Sequence, residues 1–144
     1  MAGILLVRAR VYLVALPISA VVETMRPLPV RPAPGAPPFV RGIAIIRGEP
    51  LPVIDLGALL TAAPASGEPG GRFVTVKSGE RRVALSVSAV VGIRALNIDA
   101  LAAAPPLLSQ ALPEQVERLG VLDGETLAVL GTARLLPETM GGAA

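Results

Sequence analysis

Two short patterns in this chain of 144 residues each occur twice, in the same order and at similar separations. Ser19-Ala20-Val21-Val22 returns 69 positions later as Ser88-Ala89-Val90-Val91. The run Gly48 to Leu60 returns 76 positions later as Gly124 to Leu136, with six of its thirteen positions identical. Such a duplication constrains the architecture strongly, because whatever the first copy builds the second is expected to build again. The stretch from Thr61 to Gly71, rich in Ala, Pro, Ser and Gly, lies between the copies and reads as a linker. The expectation is one domain over 1–144, with subdomains over about 1–65 and 66–140.

Each copy reads as strands. Ile4 to Val7 and Val11 to Leu16 flank the small polar stretch Arg8-Ala9-Arg10, and Phe73 to Val76 and Val83 to Val87 flank Ser78-Gly79-Glu80, so both copies open with a hairpin. A second hairpin joins Ile43–Ile46 to Leu51–Ile54 around Gly48-Glu49-Pro50, and its echo joins Leu119–Leu122 to Leu127–Leu130 around Asp123-Gly124-Glu125. Short strands with turns at close intervals point to small barrels or a sandwich, not to alternating βα units. Leu56 to Leu60 and Thr132 to Leu136 fit short helical turns. Pro27 to Pro38 holds six prolines, which exclude a helix or a central strand and predict an extended surface loop. Asp99 to Gln115 is Ala-rich enough for a helix but is interrupted by Pro105-Pro106 and Pro113.

Apolar residues reach 52% with a mean hydropathy of +0.64, so a membrane span must be considered. A spanning helix needs about 20 apolar residues. The uncharged stretch between Arg10 and Glu23 has only 12 and contains Pro17. No basic residue precedes an apolar run at the N-terminus, so no secretory signal is read and the expected location is the cytoplasm, without membrane insertion. Thirteen basic residues against 11 acidic ones are dispersed singly, and aromatic residues for base stacking amount to 2%, which argues against nucleic-acid binding. With neither histidine nor cysteine, the usual general base, the best neutral-pH nucleophile and thiolate metal sites are missing. Asp55, Asp99 and Asp123 read as turn and cap residues. The expectation is a protein that is not an enzyme and carries no cofactor or metal.

From Gly42 to Leu56 the chain reads Gly-Ile-Ala-Ile-Ile-Arg-Gly-Glu-Pro-Leu-Pro-Val-Ile-Asp-Leu. This resembles the signature block of the CheW family, Gly-Val-x-Asn-Leu-Arg-Gly-x-x-x-Pro-Val-x-Asp-Leu. Val14 to Ile18, Val21-Val22-Glu23, Pro38 to Arg41 and Leu135-Leu136 follow in that family's order, so the resemblance spans nearly the whole chain. It implies an all-β fold of two five-stranded SH3-like β-barrels with short helical turns. It also implies a non-enzymatic adaptor that couples chemoreceptors to the histidine kinase CheA. The implied partners are the cytoplasmic tip of a chemoreceptor (a methyl-accepting chemotaxis protein) and the regulatory domain of CheA.

Carried over residue by residue, Arg47 matches the family's functional arginine and Glu23 a position near the receptor groove. Gly48, Ile45, Ile46, Val22 and Gly42 complete the implied partner-binding set. The plainer reading makes Arg47 a surface arginine hydrogen-bonded across a turn and Glu23 a solvated charge. Two departures stand out: Ile45 replaces the block's asparagine, and Ser88 replaces an aspartate usual in the second half. The alternatives are a CheW-like module of another signalling assembly, a competitor that binds without activating the kinase, and a small-ligand or RNA-binding SH3-like protein.

Overall fold

All four expected hairpins form, and their turns repeat along with the sequence. The computed structural model describes residues 2–65, 71–97, 102–103, 115–132 and 135. Strands β1 (Ala2–Ala9) and β2 (Tyr12–Pro17) are followed by a single 3₁₀ turn (Ile18–Ala20), β3 (Val21–Met25), β4 (Val40–Ile46), β5 (Glu49–Asp55) and the short helix α1 (Leu56–Thr61). After the linker come β6 (Arg72–Ser78), β7 (Arg81–Val87), β8 (Ala89–Leu96), the two-residue β9 (Ala102–Ala103), β10 (Val116–Leu122) and β11 (Glu125–Leu130). The β4–β5 and β10–β11 turns place both central residues at positive φ, Arg47 at 54° with Gly48 at 77° and Asp123 at 51° with Gly124 at 78°. That is the demand of a two-residue type I′ turn, whose twist matches the strands it joins. Two turns lie off the expected positions: the first in the chain is Arg10-Val11 and the second Arg47-Gly48, so Pro50 falls inside β5. Proline is tolerated there because the pairing of β5 with β7 begins only at Val53.

Strands pair across the linker. One sheet (sheet A) has the order β8-β1-β2-β11-β10-β9 and the other (sheet B) β3-β6-β7-β5-β4. The expected division at 65/66 is therefore not a division between sheets: the opening hairpin of each copy sits in the sheet completed by the other copy. Within the sheets the duplication is obeyed residue by residue. Ile4 pairs with Pro17 as Phe73 pairs with Ser86, and the parallel contact of Val129 with Ala15 is matched by Val53 with Ala84. Even the irregularities recur, with bulges after Val21 and Val90 and after Val40 and Val116.

Among the described residues three apolar clusters result, and copies of the same position fill equivalent places in them. Ile4, Ala15, Leu127 and Val129 line sheet A's interior, while their counterparts Phe73, Ala84, Leu51 and Val53 line that of sheet B. Between the sheets lies a third cluster in which Leu5, Val14 and Leu59 meet their counterparts Val74, Val83 and Leu135. The central hairpins are buried on both faces, so they read as continuous apolar runs instead of alternating ones. This burial accounts for the high hydropathy; among the described residues no helix is long and apolar enough to cross a membrane. Asp55 N-caps α1, accepting the Ala58 amide at 3.0 Å. Of the expected linker Thr61–Gly71, Thr61 ends α1 and residues 66–70 lie outside the described residues, as do all of the expected turn at Thr132–Leu136 except Thr132 and Leu135 and most of Asp99–Gln115.

Candidate functional site

A bulge in β3 and a turn after β4 bring together two residues that sequence reading singled out separately. Glu23 follows the bulge that leaves Val22 unpaired, on an edge strand of sheet B. Arg47 opens the turn after β4, the opposite edge strand. Sheet B curls until these edges meet, and the Arg47 guanidinium grips the Glu23 carboxylate with two hydrogen bonds, Nη2 to Oε1 at 2.8 Å and Nε to Oε2 at 3.2 Å. A planar guanidinium on a carboxylate in this two-pronged manner fixes orientation as well as attraction. The Arg47 side chain remains 76% exposed and that of Glu23 27%, so the arginine still faces solvent while it is held. The hydrogen bond from Arg47 holds the Glu23 carboxyl below the usual glutamate range, with Arg82 adding a smaller pull in the same direction.

The remaining members of the set divide. Ile45 is 62% exposed and stands opposite Pro50 in β4, two residues before the turn. It is thus neither a turn residue nor a core residue, and asparagine's usual turn bonding does not apply to it. Ile46 faces inward at 3% exposure, a correction to its reading as a contact side chain that strand alternation explains. Gly42 is buried and serves the fold: a Cβ there would lie 2.0 Å from the Arg31 carbonyl oxygen. Gly48 supplies the second positive φ of the turn, with nothing near its missing side chain. Ser88, the other departure, accepts the Arg10 amide on its hydroxyl at 3.0 Å, and its own amide donates to the Arg8 carbonyl at 2.7 Å, so it secures the first hairpin.

The second copy carries a matching surface that sequence reading missed. Val121 and Asp123 occupy the places of Ile45 and Arg47, and Val91 that of Val22. Val91 is 56% exposed, Ile93 69% and Val121 38%. Arg94 on β8 reaches Asp123 with Nη1 to Oδ2 at 3.0 Å. Here the turn carries the acid and the edge strand the base, the reverse of Arg47 and Glu23. The repeat offset that revealed the duplication would have located these residues. Arg8 on β1 and Glu125 at the start of β11 form a further pair at 2.6 Å, with β2 lying between their strands in sheet A. Among the described residues no cluster of acids could hold a metal. The arrangement offers shaped apolar surface next to oriented charge, which is the chemistry of docking.

Comparison with known proteins agrees with this geometry. Residues 3–140 match the family described as CheW-like domain. The chain is 30% identical over 124 residues to protein FrzA of Myxococcus xanthus, covering 83% of this chain and 76% of that protein. It is 29% identical over 118 residues to a probable chemotaxis protein CheW of Rhizobium etli, covering 81% and 75%. The scaffolding protein TtCheW of Thermoanaerobacter tengcongensis superposes with a TM-score of 0.75 at 22% identity, over 90% of this chain and 83% of that one, and so shares the fold. A six-stranded and a five-stranded sheet that exchange hairpins, a sequence match over residues 3–140 and relatives of this kind lead to one conclusion: the chain belongs to the CheW-like domain family.

Proposed function

We propose that this protein is a non-enzymatic adaptor that couples chemoreceptors to the histidine kinase CheA, holding the kinase's regulatory domain and the receptor's cytoplasmic tip on one rigid body. The observation that carries the reading is the pair of equivalent surfaces, one per barrel, with opposite arrangement of charge. An adaptor must engage two different partners at once, and a duplicated fold that has diverged in polarity supplies two similar but distinguishable faces. Membership of the CheW-like family and likeness to a protein named for chemotaxis support it.

Arg47, Glu23, Val22 and Ile45 form the first face, with Gly48 and Gly42 shaping the backbone beneath it. The test is receptor-dependent kinase activity reconstituted from the cognate receptor, CheA and this protein. Arg47→Glu is expected to abolish stimulation and weaken capture of the kinase, while the thermal transition stays cooperative because a surface substitution leaves the three cores untouched. Loss of the cooperative transition would make Arg47 a structural residue and remove it from the interface. The second reading, a competitor or a module of another assembly, draws on the departures at Ile45 and Ser88. It predicts kinase binding without stimulation.

A further inference from the structure

The connection between β3 and β4 has a regularity that the coupling surfaces do not use. Pro27, Val30, Ala33 and Ala36 are partly buried, while every residue between them from Arg26 to Gly35 is exposed. Strand burial alternates with period two, whereas a polyproline helix has three residues per turn. The three-residue beat, the prolines at 27, 29, 32 and 34, and the absence of positive φ before Gly35 describe a polyproline-type run laid on the barrel along one of its three edges.

That edge is fastened. Val30 packs against sheet B's interior cluster, and the Arg31 amide and carbonyl each bond Ile43 at 2.8 Å. The free edges carry Arg26, Pro29 and Pro32 in one line and Leu28 and Arg31 in the other. Among the described residues neither Arg26 nor Arg31 has an ion-pair partner.

We propose that residues 26–32, reading Arg-x-x-Pro-x-x-Pro, form a docking ridge for a partner domain whose groove is lined with aromatic rings and flanked by carboxylates. Rings of that kind pack against successive prolines of a preformed polyproline helix, which loses little conformational freedom on binding. The flanking acids answer the positive charge of Arg26. A second copy of this chain is a poor occupant: it has no tryptophan, one tyrosine and two phenylalanines, of which Phe73 is buried, so it cannot line such a groove.

The probe is a purified SH3 domain with a groove tryptophan that accepts Arg-x-x-Pro-x-x-Pro peptides, titrated with the intact protein and followed by tryptophan emission. Because this chain contains no tryptophan, the emission reports the groove alone. A saturable change is expected, weakened at least about tenfold by Pro29→Ala combined with Pro32→Ala, which corresponds to ~1.4 kcal/mol. Arg26→Glu should weaken it as well, and this variant decides the matter if the double variant loses its cooperative melt. No saturable change with the intact protein overturns the proposal, including the case in which the free 26–32 peptide binds. Binding unaffected by the decisive variant overturns it too.

Discussion

Arg47 and Glu23 are held together by a hydrogen-bonded ion pair at the protein surface, and its chemistry sets a pH dependence. Glu23 has its folded pKa below the unfolded value. A carboxyl of this kind adds stability that is present above the unfolded pKa and lost as pH falls through the folded one. Arg47 stays protonated throughout, so only the acid end titrates. Carboxyl resonances are expected to place the Glu23 midpoint below the ordinary glutamate value and to move it upward in Arg47→Ala or in high salt. A midpoint indifferent to both would mean that the pair does not persist in solution. Ile45 makes a second case. Because it is exposed, Ile45→Asn should leave thermal stability within about 0.5 kcal/mol of the parent. The same variant tests the proposed interface: stimulation of the kinase should rise if isoleucine weakens coupling to standard receptors, and a destabilised variant with no gain would sink that idea.

The connection between β3 and β4 depends on one glycine whose role is visible only once the chain is folded. Gly42 has φ 144° and passes so close to Arg31 that any side chain would strike its carbonyl, at the point where the proline-rich run is bonded to the edge of sheet B. Gly48 has φ 77° but open space around it. Gly42→Ala should therefore cost roughly 1–3 kcal/mol for the backbone strain, and more for the clash, whereas Gly48→Ala should cost only the strain. Chemical denaturation of the two variants measures the difference, and equal midpoints would show that the Arg31–Ile43 bridge yields freely. Both glycines belong to the family block, yet the sequence presents them alike. Their distinction comes from a neighbour 11 positions back along the chain.

Interleaving of the two copies predicts that the molecule melts as one cooperative body. Each sheet needs the opening hairpin of one copy and later strands of the other, and the central cluster draws on both. Separately expressed fragments 1–65 and 66–144 are expected to lack a cooperative thermal transition alone and to regain one when mixed. A fragment that melts cooperatively by itself would contradict the exchange of hairpins. Duplication and hairpins were legible in the residues because their signals are local, although two of the four turns fell a residue or two from their expected places: Asp123-Gly124 specifies its own turn, and apolar runs specify strands wherever they lie. Partner strands were not, since an apolar pattern states that a face is buried but not against what. The parallel contacts of β2 with β11 and of β5 with β7, the meeting of Glu23 with Arg47 and the inward turn of Ile46 all depend on contacts between distant segments. Those follow from closing curved sheets around shared cores, where pairing energy is realised only after the chain has been brought together.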